Sequence, residues 1–290
     1  MNGTDIILVT GANSGLGRGI VETLATQGHR IFAAMRDVGG RNAAIAEDFA
    51  RRGIEAVEID VTSGASVATG VARVMDVAGR IDVLVNCAGV MWTGVTEAFS
   101  PRQFQTILET NLVGPYRLMK AVLPHMRQRN KGLLLTITSL AGKSIIPGAG
   151  HYCASKAGLE ALAETIGYEV APFGIESIIV EPGPFATNLK NAAQPPEDRQ
   201  TVSAYGAHGD FDGRIYAAVG PMVESGKISV EPQLVADHVA RLIALPSGRR
   251  PRRTTVGWDL GMASINDRIA DYQSAFLRQL GMEDLEVVRQ

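Results

Sequence analysis

Four apolar residues near the start, Ile6–Val9, run directly into Thr10-Gly11-Ala12-Asn13-Ser14-Gly15-Leu16-Gly17, and this stretch limits the fold more than any other. Apolar residues then recur at helical spacing, Leu16, Ile20 and Leu24. A short apolar run without polar alternation suits a strand buried on both faces, as in a parallel sheet. Strand, glycine turn and helix in that order make a dinucleotide-phosphate site. The glycines allow a tight turn and a close approach, and the pyrophosphate sits on the helix N-terminus. Glycines alone would mark any tight turn; the strand before and the helix after give these their meaning.

The next strand, Arg30–Met35, ends in Arg36-Asp37, where such a unit meets the adenosine ribose. A guanidinium at position 36 can pair with a 2′-phosphate, which favours NADP over NAD. Two other readings stay open: Asp37 reaches the ribose hydroxyls, or Arg36 is a solvated loop charge. Asn42–Arg52 reads as a helix, and Glu55–Ile59 as a strand ending at Asp60-Val61. Asp60 is placed to accept a hydrogen bond from the adenine amine, or only to help Thr62 start a helix over Ala65–Ala78. Ile81–Val85 ends in Asn86-Cys87-Ala88-Gly89, small residues that leave room for a ligand across the sheet edge. This alternation predicts one doubly wound α/β domain over residues 1–290, a Rossmann fold with a mostly parallel sheet.

Ser100-Pro101 is a helix start, and that helix is expected to run to about Arg129 with Asn111 inside it. Asn disfavours a helix interior unless its side chain is recruited, for instance to a local distortion or a water. The stretch Thr136–Ala163 opens as a strand ending at Ser139 and becomes a helix carrying Tyr152 and Lys156. Four residues make about one turn, so phenol and ammonium share a face. A free phenol has a pKa of about 10; a nearby cation pulls it toward the working range of an acid–base catalyst. Ser139 can bond the same substrate oxygen. Taken alone, the pair also fits a half-buried Tyr beside a solvated Lys.

Composition narrows the partners. Among 290 residues, Lys plus Arg is 28 and Asp plus Glu is 30, a net charge of −2, which gives no reason to expect nucleic acid or an anionic membrane. Cys87 and Cys153 lack metal-ligand spacing and the histidines form no cluster, so no metal site is expected; buried thiols suit a reducing compartment. No signal-peptide pattern opens the chain and no apolar run is long enough to span a bilayer, so the expectation is a cytoplasmic protein.

Together these motifs resemble the short-chain dehydrogenases/reductases, in their compact branch. Thr10-Gly11-x-x-x-Gly15-x-Gly17 matches the family's cofactor fingerprint, and Asn86-Cys87-Ala88-Gly89 its NNAG segment with Cys for the second Asn. Asn111, Ser139, Tyr152 and Lys156 match its catalytic tetrad, and Pro182-Gly183 followed by Thr187 its segment beside the nicotinamide. The match covers about residues 5–190. The resemblance implies that Tyr152 is the acid/base, that Lys156 lowers its pKa and bonds the nicotinamide ribose, and that Ser139 orients the substrate oxygen. It also implies that Asn111 holds a water linking Lys156 to solvent, that Phe185 narrows the pocket by the nicotinamide, and that the chain forms dimers or tetramers. A hydride moves on or off the cofactor while a proton moves at Tyr152, with no metal required.

Beyond Thr187, breakers alternate with large apolar residues over 188–226, which suggests a broken helical lid over a pocket, or else a surface loop. Glu231-Pro232 restarts a helix to about Leu245, and Thr254–Val256 reads as a strand. The run Arg249-Arg250-Pro251-Arg252-Arg253 between them reads as a solvated loop rather than a nucleic-acid patch. In the helical extension over 259–290, Ile265, Ile269, Tyr272, Phe276 and Leu280 form an apolar stripe expected to bury. Met91, Trp92, Leu140, Ile145, Phe185, Tyr205 and Tyr216 are the expected substrate-pocket lining. The expected activity is NADP-dependent hydride transfer to or from a bulky apolar ketone or secondary alcohol. The alternatives are a dinucleotide sensor without chemistry, a lyase or epimerase using the same Tyr–Lys pair, or an anionic substrate captured by Lys190 or Arg199.

Overall fold

The apolar runs become strands and the periodic stretches between them become helices. The computed structural model describes residues 4–187, 189 and 193–289. In chain order these form β1 (Ile6–Thr10), α1 (Gly15–Thr26), β2 (Arg30–Met35), α2 (Ala43–Arg51), β3 (Glu55–Glu58), α3 (Gly64–Ala78) and β4 (Val83–Asn86). There follow α4 (Pro101–Leu108), α5 (Gly114–Gln128), β5 (Gly132–Ile137), α6 (Gly150–Val170) and β6 (Ile175–Pro182). The last part holds α7 (Arg199–Tyr205), α8 (Phe211–Glu224), α9 (Gln233–Ala244), β7 (Arg253–Val256) and α10 (Met262–Leu280).

All seven strands pair in parallel, in the order β3-β2-β1-β4-β5-β6-β7. The expected mostly parallel sheet is therefore wholly parallel among the described residues. Strand order reverses at β1 and β4, and a ligand crevice opens at the strand C-termini where such a reversal occurs. Side chains alternate across the sheet, so β1 feeds two cores. Ile7 and Val9 pack on the face covered by α1 and α9, with Ile20, Leu24, Val235 and Val239. Ile6 and Leu8 face the layer of α3, α5 and α6, against Val71, Leu118, Val122 and Ala163. Burial on both faces is why these strands lack polar alternation.

The long helix expected from Ser100 is present but interrupted. Ser100 and Gln103 form a reciprocal capping box at its start, and Glu109–Val113 widens into a π-helical turn between α4 and α5. Asn111 sits in that turn, fully buried. A widened turn of this kind is common at functional sites because it re-aims one side chain.

Two expectations about the C-terminal part fail, the first in part. The basic run is a solvated loop only in part: Arg249 and Pro251 are exposed, but Arg250 bonds the carbonyls of Leu242 and Ile243 and pairs with Glu176, and Arg252 bonds the carbonyls of Leu285 and Glu286. Arg253 pairs with Glu160, Glu164 and Glu181. The acids that draw these side chains inward come from α6 and β6, far away in the chain, so local charge density misreads them. The stripe on α10 is not buried either, since Ile265, Ile269, Tyr272, Phe276 and Leu280 are 37–70% exposed. The helix docks instead through Met262, Asn266 and Leu277. No described helix is long and apolar enough to cross a membrane.

Candidate active site

At the reversal of strand order the turn after β1 takes the shape its glycines permit. Gly11 has φ 68°, and a Cβ there would stand 2.8 Å from Ala88 Cα. A Cβ on Gly17 would stand 2.3 Å from the Gly11 carbonyl oxygen. Both positions need glycine, one for its left-handed backbone and the other for the close packing of helix on turn. The Thr10 hydroxyl ties the turn to β4, accepting from the backbone N–H groups of Cys87 and Ala88 at 3.0 and 3.1 Å.

These contacts frame a cleft of about 230 Å³. Its wall carries Gly11, Asn13, Ser14, Gly15, Leu16 and Gly17 from the turn, then Arg36, Asp60 and Val61 from the ends of β2 and β3. Ala88, Gly89 and Thr187 close the other side. The cleft fits a dinucleotide phosphate by its chemistry. α1 opens on it with no acidic residue in its first turn and no side-chain cap, which leaves its N–H groups for an anion. Met35, Ile59, Thr62, Cys87, Val90, Thr110 and Leu189 also line it, and the sequence reading missed them. Each of the first five adjoins a strand end already singled out, so that position was the available signal.

The two charged residues at the end of β2 are placed differently. Asp37 has φ 53°, and its carboxylate turns back to accept from the Arg41 N–H at 3.0 Å, away from the cleft. Arg36 remains on the cleft wall. Asp60 is partly committed: its Oδ1 accepts from the Thr62 N–H at 2.9 Å and the Thr62 hydroxyl at 2.7 Å. The cap of α3 is Ser63, which accepts from the Ser66 N–H.

Beyond Gly89 the cleft meets the Tyr–Lys helix; a Cβ on Gly89 would be 3.8 Å from Lys156 Nζ. Lys156 Nζ donates to the Ile137 carbonyl at 3.1 Å and stands 5.7 Å from the centre of the Tyr152 ring. Ser139, whose extended backbone follows the end of β5, lies beside the Tyr152 phenol and acts to lower its pKa. Asn111 Nδ2 donates to the Val90 carbonyl at 2.8 Å and to Ser155 Oγ at 3.0 Å, while Oδ1 accepts from the Val90 N–H at 2.8 Å. Its amide thus clasps the Gly89–Val90 strand end to α6. Both of its amide hydrogens are thus already spent within the protein.

Burial rules the electrostatics. Desolvation pushes the Tyr152 phenol up to about 12, against the lowering effect of Ser139. Desolvation likewise brings Lys156 down to about 8, opposed first by Cys87 and then by the charge of Glu160. The expected pull of the ammonium on the phenol is not what dominates in this site; the loss of water around both groups is. Cys87 is also pushed up to about 12 by burial, an inert thiol rather than a nucleophile.

Several expected site residues stand elsewhere. Asn86 is buried at the end of β4, with neither side-chain polar atom hydrogen-bonded. Pro182 and Gly183 pair with the end of β7, and the Phe185 ring lies against Gly257. The seven expected pocket residues do not converge. Trp92 is buried with Phe99 and Ile107, while Ile145 and Tyr216 are 71% and 73% exposed. Met91 packs beside Tyr152, and Leu140 is buried just after Ser139. Tyr205 spends its hydroxyl on Glu97 at 2.8 Å. Size and polarity chose these residues, but side-chain direction decides whether they meet. Lys190 lies outside the described residues, and Arg199 is exposed at the start of α7.

Residues 5–198 match the family model for short chain dehydrogenase. The chain belongs to the short-chain dehydrogenase family. It is accordingly an NAD(P)-dependent oxidoreductase. It is 29% identical over 252 residues to the 3-ketodihydrosphingosine reductase of Bacteroides thetaiotaomicron, covering 87% of each chain. A short-chain dehydrogenase from Streptomyces avermitilis superposes with a TM-score of 0.76 at 31% identity, over 97% of this chain and 98% of that one. The actinorhodin polyketide ketoreductase, solved with NADPH, superposes with a TM-score of 0.71 at 30% identity, over 86% and 94%. In this family setting, the cleft with Tyr152 and Lys156 at its end is the candidate active site.

Proposed function

We propose that this dehydrogenase reduces the carbonyl of a bulky apolar ketone with NADPH, and oxidises the matching secondary alcohol in reverse. The observation that carries the reading is buried Lys156, 5.7 Å from the centre of the Tyr152 ring and on the same helix face, at the end of a glycine-walled cleft. The turn Gly11–Gly17 with the N-terminus of α1 would hold the pyrophosphate, Arg36 the 2′-phosphate, and Lys156 with Thr187 the nicotinamide end. When bound, that cofactor supplies the hydride.

The protein's own residues handle the proton. A phenol raised to about 12 is fully protonated at neutral pH, the form required of a general acid toward a ketone oxygen. Ser139 donates to the same oxygen and fixes its direction. The tyrosinate left behind is stabilised by the Lys156 ammonium on the same helix face. Asn111 holds the Gly89–Val90 edge against α6, so the two sides of the site keep their spacing.

Arg36 on the cleft wall, with Asp37 turned away, supports NADP over NAD. Arg36→Ala is expected to weaken NADPH binding by about one to two decades, the worth of a charge-assisted bond of roughly 1.5–3 kcal/mol, and to leave NADH nearly unchanged. Titration of both cofactors checks this; equal losses would make Arg36 structural.

For the substrate, the support is an apolar neighbourhood and the kinds of ketone named by its relatives. Met91 and Ile146 pack around Tyr152, an apolar neighbourhood for a carbonyl substrate. We assign the 188–226 segment as the cover of this pocket. Its described part is latched by Thr93 to Asp212 at 2.6 Å and by Tyr205 to Glu97. A matched aromatic ketone is expected to show a kcat/KM at least tenfold above its keto acid analogue, because a buried carboxylate would go uncompensated. Preference for the acid would reverse this part of the proposal.

A further inference from the structure

Behind the Tyr–Lys pair lies a buried ion network that the proton transfer above does not use. Glu160 is 2% exposed and follows Lys156 by four residues on α6, which sets their Cβ atoms about 5–6 Å apart on one face. Its Oε2 is held by Lys143 Nζ at 3.1 Å and by Arg253 Nη1 at 2.6 Å. Arg253 also pairs with Glu181 of β6 at 2.6 Å and with Glu164 of α6 at 2.8 Å. Asn266 of α10 donates to the second oxygen of Glu181. Three carboxylates thus meet two cations, an excess of acidic over basic groups, with Glu160 and Glu181 almost wholly buried. Glu160 Oε1 has no hydrogen-bond partner, which leaves that part of its charge unspent.

The groups facing Glu160 come from four elements: Lys143 from the segment after Ser139, Arg253 from β7, Glu181 from β6, and Glu164 with Lys156 from α6 itself. Lys156, in contrast, is hydrogen-bonded only to a neutral carbonyl among the described contacts, and burial disfavours its charged form. We propose that Glu160 is a positioning residue for the reaction: fixed by Lys143 and Arg253, it stands one turn behind Lys156 and supplies the counter-charge that keeps the buried ammonium protonated. It touches neither substrate nor cofactor and acts through Lys156. The proposal rests on the reading of Lys156 as the partner of Tyr152.

Lys156 can be titrated directly in the full-length chain by NMR of lysine labelled at Cε, with Lys156→Arg identifying the signal. Glu160→Gln keeps size and hydrogen bonding but removes the charge, and should move the Lys156 titration down by about one pH unit. The alkaline limb of kcat/KM should move down with it, because the ammonium is lost at lower pH. Glu164→Gln removes an equivalent Arg253 contact and should leave the titration in place. Lys143→Met, on the half-buried rim, should move it up, and serves if Glu160→Gln does not fold. An unmoved titration in folded Glu160→Gln, an equal shift in Glu164→Gln, or no upward shift in Lys143→Met would each overturn the proposal. Since this measurement needs no turnover, a chain inactive on every ketone would defeat the proposed reaction and still leave the role of Glu160 decided.

Discussion

Tyr152→Phe lowers turnover of the preferred ketone by about 10²–10⁴-fold while binding of the cofactor stays near the unmutated value. That range is the usual contribution of a positioned general acid. The ring keeps its packing against Ala141, Ala149 and Cys153, so the fold and the cleft survive the change. Only the phenol hydroxyl, with its transferable proton and its polar contact to Ser139, is lost. Steady-state rates with parallel cofactor titrations check it. A variant within a few-fold of the unmutated rate would remove Tyr152 from the chemistry.

Arg253→Met has the largest expected effect on stability. The guanidinium is only 12% exposed and satisfies three carboxylates, two of them almost fully buried. Removing one partner from a buried ion pair costs about 3–5 kcal/mol, because the remaining charge is stranded away from water. Denaturant unfolding should show that loss at neutral pH. The pH dependence has a definite sign. Burial and the charge of Glu160 already raise the Glu181 carboxyl above its ordinary value, and loss of Arg253 raises it further. A folded-state value above the unfolded one means the folded chain binds more protons, so stability falls as pH rises through the folded value. The deficit of Arg253→Met should therefore shrink as pH is lowered from neutral toward the ordinary carboxylate range. A deficit independent of pH would mean that lost packing, not stranded charge, is the cause.

Local patterns carried what the sequence could reveal. The turn Gly11–Gly17, the Tyr152–Lys156 spacing and the strand ends at Arg36 and Asp60 each depend on neighbours within a few residues, and the structure assembles them around one cleft. The Arg253 network is different in kind. Its partners lie 72 to 93 positions away in the chain, beyond any periodicity, and only β6, β7 and α6 coming together turns Arg253 inward. Two signals were nonetheless present. Glu181 interrupts the otherwise apolar end of β6, and Glu160 shares the helix face of Tyr152 and Lys156; a carboxylate in either place requires a partner. The pocket residues were misplaced for another reason: Trp92 and Phe185 are large and apolar, and in this fold Trp92 is buried in a core cluster while Phe185 packs, partly buried, against another. The π turn at Asn111 was half legible, since a buried Asn mid-helix demands recruitment, but the Val90 backbone that recruits it could not be named.

The most direct test of the proposed reaction is the loss of reduced-nicotinamide absorbance when the purified chain meets an apolar ketone with NADPH or with NADH. Steady oxidation of NADPH, at least tenfold faster than NADH at equal subsaturating concentration, with alcohol formed in equal amount, is the predicted result. Oxidation of neither cofactor across long-chain and aromatic ketones would contradict the proposed chemistry, and a preference for NADH would contradict the role given to Arg36.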